Sequence, residues 1–305
     1  MKKRIEVILI FSFLTFFSLG TIYPVLNILG VSLRTDNAFQ TRSLSLVHIR
    51  ENYTDLNENG QWDNGESFTD ANSNGRWDSG SSLKSYLTLF TETDFLLWVR
   101  NSIFISLLVT LTGVIFASTA GYALSRFKFR GREFGMTALL TTQMFPATML
   151  LLPFFILLSY LGLINSYLGL IIIYSSTALP FCIWQMKGYY DTIPPSLEES
   201  ARLDGCTRFQ AFYKVILPLS SPALVITALF SFMASWSEYV VAAIILQDPK
   251  LYTLPLGLKS FQASLSTQWG LYAAGAVVVS IPVTILFISL SRYLVSGLTM
   301  GSVKG

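Results

Sequence analysis

The chain has 305 residues, 52% of them hydrophobic and only 13% charged, with a net charge of +3. A soluble domain carries about 25% charged residues, so this chain cannot be solvated on all sides, and its slight, unevenly placed positive charge argues against nucleic acid as a partner. A single histidine, His48, makes a histidine-based metal site or histidine-centred catalysis improbable.

Charge is missing from Val7 to Leu33, Asn101 to Ser125, Phe134 to Met186, Val215 to Ser237 and Ser260 to Ser291. A helix needs about 20 apolar residues to cross the hydrocarbon core, so the third stretch is too long for one span and divides near Gly162–Ser166. The pattern predicts an all-α integral membrane protein with six spans, at 6–33, 98–125, 134–159, 166–188, 220–246 and 271–295. The first follows Lys2, Lys3 and Arg4 and is too long for a cleaved leader, so it is read as a retained helix with a cytoplasmic N-terminus. Basic residues set orientation: an N-in, C-in arrangement places 13 Lys and Arg inside and eight outside. Arg126, Lys128, Arg130 and Arg132 crowd one short inner connection. Four segments follow: a first span at 1–33, an outer insert at 34–97, a five-span core at 98–295 and an inner tail at 296–305.

Within the insert, Asp55, Asn57, Asn59, Gln61, Asp63 and Glu66 stand where a twelve-residue calcium loop places its ligands, with Gly60 at the sharp turn. A second copy begins fifteen residues later with Asp70, Asn72, Asn74, Gly75, Arg76 and Asp78, and has Ser81 where the bidentate acid belongs. Long amphipathic helices do not flank the copies, so a compact loop pair held by Ca²⁺ is expected, against the plainer reading of an acidic, flexible loop. In the second span, Gly113, Ala117, Ala120 and Gly121 offer small side chains for close helix contact.

A polar hairpin separates the fourth and fifth spans. Pro194-Pro195 stops the fourth helix, and Ser196 with Glu199 three residues on has the form of a capping box. Leu197 to Leu203 spans two turns, Gly205 suits the left-handed residue that ends them, and Thr207 to Val215 forms a second helical stretch. Leu197, Ala201 and Leu203 are expected as an apolar patch rimmed by Glu198, Glu199 and Arg202. Physics alone leaves open whether this surface docks on a partner or is merely solvated. Glu238, inside the fifth expected span, must face protein or water because an exposed ionised group costs at least about 2.5 kcal/mol there. It has either a gating or solute-path role or a hydrogen bond to a neighbouring helix. Cys182 and Cys206 lie too far apart for a disulfide.

Glu199-Ser200-Ala201, Gly205, Val215 and Leu217-Pro218 resemble the conserved loop of ABC-importer permeases: Glu-Ala-Ala, then Gly, then Ile-x-Leu-Pro. Ser200 replaces the first alanine and Val215 the isoleucine. From the second span onward the chain is similar to the maltose-type permease subunits of bacterial carbohydrate importers. Lys187-Gly188-Tyr189, Leu203-Asp204-Gly205, Gln210-Ala211-Phe212 and the ending from Arg292 to Gly305 carry that likeness. The resemblance implies the type I importer permease fold in the bacterial cytoplasmic membrane. It implies four partners: a second permease subunit, two cytoplasmic ATPase subunits and an extracytoplasmic sugar-binding protein. Glu198, Glu199, Ser200, Ala201, Asp204, Gly205, Val215, Leu217 and Pro218 would then meet an ATPase subunit. The tail Gly301, Ser302, Val303, Lys304 and Gly305 would run between the two ATPases, and the outer loop from Asp248 to about Gly270 would reach the binding protein. The sequence has no Gly-x-x-x-x-Gly-Lys-Ser/Thr phosphate loop, so nucleotide would bind on another chain, and no cofactor is expected in the core. Maltose or maltodextrin is the solute expected by similarity, with another sugar or a glycerol-phosphate-type solute as alternatives. An ion-coupled secondary carrier and a calcium-dependent membrane assembly protein are the readings from other classes.

Overall fold

A computed structural model describes residues 2–34, 51–57, 62–70, 75, 77, 80–262 and 267–300. In order, the α-helices are α1 (Lys2–Ser32), α2 (Lys84–Thr91), α3 (Phe95–Arg126), α4 (Arg132–Thr142), α5 (Leu151–Tyr160) and α6 (Tyr167–Thr192). There follow α7 (Ser196–Leu203), α8 (Arg208–Ala211), α9 (Leu217–Leu219), α10 (Ser221–Trp236), α11 (Val240–Ile245), α12 (Leu254–Ser260) and α13 (Trp269–Met300). Extended pairing among the described residues is limited to two isolated bridges, Tyr53 with Phe68 and Gln262 with Thr267.

Glu6–Ser32, Phe95–Arg126, Tyr167–Thr192 and Trp269–Ser291 are each long and apolar enough to cross a bilayer; Arg208–Leu219 with Ser221–Trp236, bent by 78°, makes a fifth if counted as one span. Two expected continuous helices are broken instead. The stretch at 134–159 stops at Thr142, passes through a 3-10 turn at Ala147–Leu150, and resumes as α5. Pro146, extended at ψ 126°, ends the first half, because a proline disfavours the helical conformation in the residue before it. The stretch at 220–246 breaks at 237–239, between α10 and α11.

The chain divides into two compact units, one of residues 1–96 with 258–281, the other of 97–257 with 282–305. In the first, Ser32 Oγ lies 2.8 Å from Tyr86 Oη, and the Leu33 carbonyl accepts from the Ser82 N–H at 2.8 Å. These contacts join the end of α1 to the start of α2. The apolar side chains of α1 from Val7 to Leu29 point outward, Phe16 being 78% exposed, as suits a lipid-facing helix.

The second unit holds two apolar cores. Ile105, Val109, Leu158, Leu170, Tyr174 and Ile245 centre one; Ala117, Cys182, Met186, Tyr190, Phe212 and Ile216 centre the other. The small residues of α3 do pack helices. A Cβ on Gly113 would fall 2.2 Å from Ser231 Oγ of α10, and one on Gly121 would meet Met186 Cβ of α6 at 2.9 Å. Hydroxyls and an amide join the same helices, with Thr112 Oγ1 2.9 Å from Ser175 Oγ and Thr227 donating to Gln185 Oε1 at 2.6 Å. Hydrogen bonds of this kind hold helices together where water supplies no hydrophobic drive. Both cysteines are free thiols, Cys182 being buried beside Ser231.

The loop after α11 is stapled to the head of α3. Trp98 Nε1 donates to the Pro249 carbonyl at 2.9 Å, Asn101 Nδ2 to the Lys250 and Tyr252 carbonyls at 2.9 and 3.1 Å, and the Leu254 N–H to Ser102 Oγ at 2.7 Å. Asn165, at φ 55°, closes the other side by accepting from the Gln247 and Asp248 N–H groups.

Gly113→Ala should lower the thermal inactivation midpoint of the detergent-solubilised protein, since overpacking costs about 1–3 kcal/mol. Ser231→Gly in the same chain should restore most of that loss. A Gly113→Ala protein as heat-resistant as its parent would refute the close approach of α3 and α10.

Candidate coupling hairpin

Ile193 leaves α6 extended, at ψ 120°, ahead of Pro194. The following helix begins one residue earlier than the sequence suggests. Ser196 is already helical, Pro195 holds the N-cap position at φ −58°, and no side chain caps it, so the expected Ser196–Glu199 box does not form. Proline presets the helical φ and its missing N–H is not needed at a helix start. The capping box lies instead at the start of α8, where Thr207 Oγ1 accepts from the Gln210 N–H at 3.2 Å and Gln210 Oε1 from the Thr207 N–H at 2.8 Å. Gly205, at φ +89°, ends α7 as expected. The Cys206 N–H reaches the Ala201 carbonyl at 3.0 Å and the Gly205 N–H the Arg202 carbonyl at 3.1 Å, the double bond pattern of a Schellman cap.

After α8 the backbone widens into a π turn, Phe212–Ile216, before α9. Pro218 accounts for it. In an unbroken α-helix its ring would press on the Lys214 carbonyl and offer that oxygen no donor; the wider turn, with the Leu217 N–H bonded to the Phe212 carbonyl, shifts the register.

One ion pair fixes the hairpin to α3. Arg126 Nε donates to Glu198 Oε1, and both side chains are largely buried, 13% and 14% exposed. Tyr122 Oη donates to the other Glu198 oxygen at 2.7 Å, and Arg126 Nη2 to the Ile193 carbonyl at 2.8 Å. The Tyr122 ring lies 4.5 Å from that of Phe212. Ser125 and Lys187 both donate to Asp191, each at 2.6 Å. Arg126, in the last turn of α3, also complements the negative end of that helix. Tyr122, Arg126, Glu198, Glu199, Arg202 and Arg208 line a cleft of about 210 Å³ beside the pair.

The helix therefore presents a different face from the one expected. Ala201 is buried at 8% exposure and Glu198 points inward, so neither belongs to the outer patch or its rim. A helical turn sets 198 and 201 on one side and 199, 200 and 203 on the other. Leu197, Ser200, Leu203 and Asp204 face outward with Glu199; Leu203 is 90% exposed. Phe209, 72% exposed and 5.4 Å from the Tyr213 ring, extends the apolar surface onto α8. Val215 and Leu217 are half-buried against the second core, while Pro218 is exposed.

The family described as the binding-protein-dependent transport system inner membrane component matches residues 110–300, a range that takes in the whole hairpin. The chain belongs to this family. It is 33% identical to the maltodextrin transport system permease protein MdxG of Bacillus subtilis (strain 168) over 99% of this chain and 98% of that one. It is 32% identical to the galactooligosaccharides transport system permease protein GanQ of the same organism, over 100% and 99%. The maltose/maltodextrin transport system permease protein MalG of Yersinia pestis is 38% identical over 69% of this chain and 71% of its own. Among solved structures, a bacterial ABC transporter involved in the import of the acidic polysaccharide alginate has a chain of TM-score 0.75 and 25% identity, covering 96% of this chain and 98% of that one. This inner membrane component is thus a multi-pass membrane protein.

The other sequence-predicted residues of this family member are placed as follows. Glu238 sits in the break between α10 and α11, where its carboxylate accepts from Tyr174 Oη at 2.9 Å and from the Val241 and Ala242 N–H groups at 3.0 and 3.3 Å. It thereby joins α6 to the start of α11. In the insert, Glu66 is 8% exposed and accepts from the Leu56 and Asp63 N–H groups, both at 2.9 Å. Asn57 Nδ2 donates to Asp63 at 2.7 Å, and Asp70 accepts from the Gly75 N–H at 2.7 Å. Trp62 and Trp77, fifteen positions apart and so equivalent in the two copies, stack at 5.6 Å. Among the described residues no three acidic, histidine or cysteine side chains gather as a metal site. Asn59, Gln61, Asn72, Asn74, Arg76 and Asp78 lie outside the described residues, as do Gly301, Ser302, Val303, Lys304 and Gly305.

Arg126→Ala should release α7 from α3. Losing a hydrogen bond to a charged group costs about 2 kcal/mol, or about thirtyfold in local opening, so amide hydrogens of 196–203 should exchange faster by that factor while those of α6 do not. Unchanged exchange over 196–203 would show that the pair does not hold the helix.

Proposed function

We propose that this chain is a permease subunit of an ABC importer for a neutral oligosaccharide of the maltodextrin type, driven through α7 by a cytoplasmic ATPase subunit. The observation that carries this reading is the two-sided character of the hairpin, pinned inward by Arg126–Glu198 and bare outward at Leu203 and Phe209. A surface helix held by a nearly buried ion pair can transmit a push without tilting, and Leu203 and Phe209 offer a partner apolar contacts. Its relatives are named for maltodextrin, maltose and galactooligosaccharide transport, which favours an uncharged sugar as cargo.

In this reading six spans run N-in and C-in, with the two broken stretches counted as one span each. A second permease subunit completes the path, an extracytoplasmic binding protein delivers sugar near 248–270, and the 301–305 tail meets the ATPases. Those two subunits bind and hydrolyse nucleotide, so the permease itself is not an enzyme. Their closure draws two coupling hairpins together and shifts the bundle between discrete packings, inward- and outward-facing. Glu199, Ser200 and Asp204 supply the polar contacts around Leu203.

The insert would hold Ca²⁺ through Asp55, Asn57, Asp63 and Glu66 in the first copy and Asp70 in the second. The fit rests on the donor set, since hydrogen bonds within 55–66 already draw its two ends together around carboxylate and amide oxygens. Calcium would screen those oxygens from one another and fix the loops.

Leu203→Asp should weaken capture of the ATPase subunit by about thirtyfold, as loss of an interface anchor does, with the mutant still inserted in the membrane. Full ATPase capture together with full sugar uptake would sink the coupling role. Isothermal titration of the whole detergent-solubilised chain should show calcium uptake at about 10⁻⁴–10⁻³ M, the range of extracellular loops, with a change in Trp62 and Trp77 emission. No heat and no emission change at millimolar calcium would remove the metal from the insert.

A further inference from the structure

The break between α4 and α5 opens a cavity of about 520 Å³, within the size range of small-ligand sites. Thr142, Gln143, Phe145, Phe154, Ser176 and Thr177 line it. Its depth follows from helix geometry. Thr142 is about 15 Å along α4 from Arg132, and Thr177 likewise about 15 Å along the oppositely directed α6 from Tyr167, at 1.5 Å per residue. Both lie near the middle of a hydrocarbon core about 30 Å thick.

Irregular backbone at that depth is tolerated only against protein or a water-filled cavity, because lipid offers its polar groups no partner. Residues 143–146 are non-helical and outward-facing, with Gln143 exposed and Phe145 57% exposed. This face therefore looks onto protein or onto a water-filled path, and not onto lipid. On the opposite wall Pro180, inside α6, has no N–H to give the Ser176 carbonyl. That acceptor lacks its helical donor where the cavity needs one.

The lining carries no charged side chain. Gln143 Nε2 donates to the Thr177 carbonyl at 3.0 Å, which uses one of the amide's two N–H donors and leaves the other and the oxygen. Phe145 and Phe154 provide flat apolar faces. An amide, hydroxyl oxygens that still accept, and two rings match the hydroxyls and C–H faces of an uncharged sugar. A uronic acid would bring its carboxylate to a wall with no cation, an unpaired desolvation cost.

We propose that this cavity is a solute-contact site on this subunit, that Gln143 is the residue that touches the passing sugar, and that the site takes neutral saccharide rings and refuses acidic ones. This rests on the importer reading above. The test uses the full assembly with its ATPase and binding protein in proteoliposomes, supplied with labelled maltotriose or with a trisaccharide of uronic acids. The unsubstituted assembly should carry maltotriose and not the uronate. Gln143→Ala and the near-isosteric Gln143→Leu should cut sugar carried per ATP hydrolysed by about tenfold, with binding-protein-stimulated hydrolysis unchanged. Full transport by Gln143→Leu overturns the proposal, as does a parallel fall of hydrolysis and uptake in both variants. Uronate uptake by the unsubstituted assembly overturns the neutral preference while the importer reading stands; absence of both stimulated hydrolysis and any uptake defeats that reading and the site with it.

Discussion

The contact between Arg126 and Glu198 is the constraint on which the inner half of this molecule turns. It joins the last turn of the first long core helix to a helix 72 positions later, and the same guanidinium takes the Ile193 carbonyl that leads into that helix. A charge pair this sheltered is not a strong source of stability by itself, since desolvation offsets much of the attraction. Its value is geometric. A planar guanidinium with several donors fixes the angle between two segments, and Tyr122 donates to the second oxygen of the carboxylate.

The second governing constraint is the bilayer's intolerance of unpaired backbone. Two stretches of apolar sequence that would serve as single spans are interrupted, at 143–146 and at 237–239. The second break is sealed internally: Glu238 supplies acceptors to the start of α11 and receives the Tyr174 hydroxyl. At the first, Gln143 reaches across to α6 and an open cavity adjoins it.

Much of the fold was legible because its signals are compositional. Long uncharged runs, a cluster of four basic residues and a Gly205 that only a left-handed turn requires announce themselves along the chain. The helix breaks were not legible, because hydropathy does not register backbone continuity, although Pro146 marked one of them. At the hairpin the motif located the element, but two inward-facing residues, Glu198 and Ala201, read as outward. Apolarity and charge suggest a face only when the opposite side is known. The opposite side was α3, whose Arg126 had counted merely as an orientation signal. The Thr207–Gln210 box was visible in the same form as the false one at Ser196–Glu199; Pro195, already suited to start a helix, decided between them.

Stapling the 249–257 stretch to the head of α3 through Trp98, Asn101 and Ser102 has a kinetic corollary. Loops that meet large partners ordinarily surrender conformational entropy at the moment of encounter. This one surrenders it during folding, with the Trp98 ring set so tightly under Gly257 that a single added carbon would collide at 2.2 Å. The 249–257 stretch is therefore a rigid ledge in the folded chain itself, its order set by Trp98, Asn101 and Ser102.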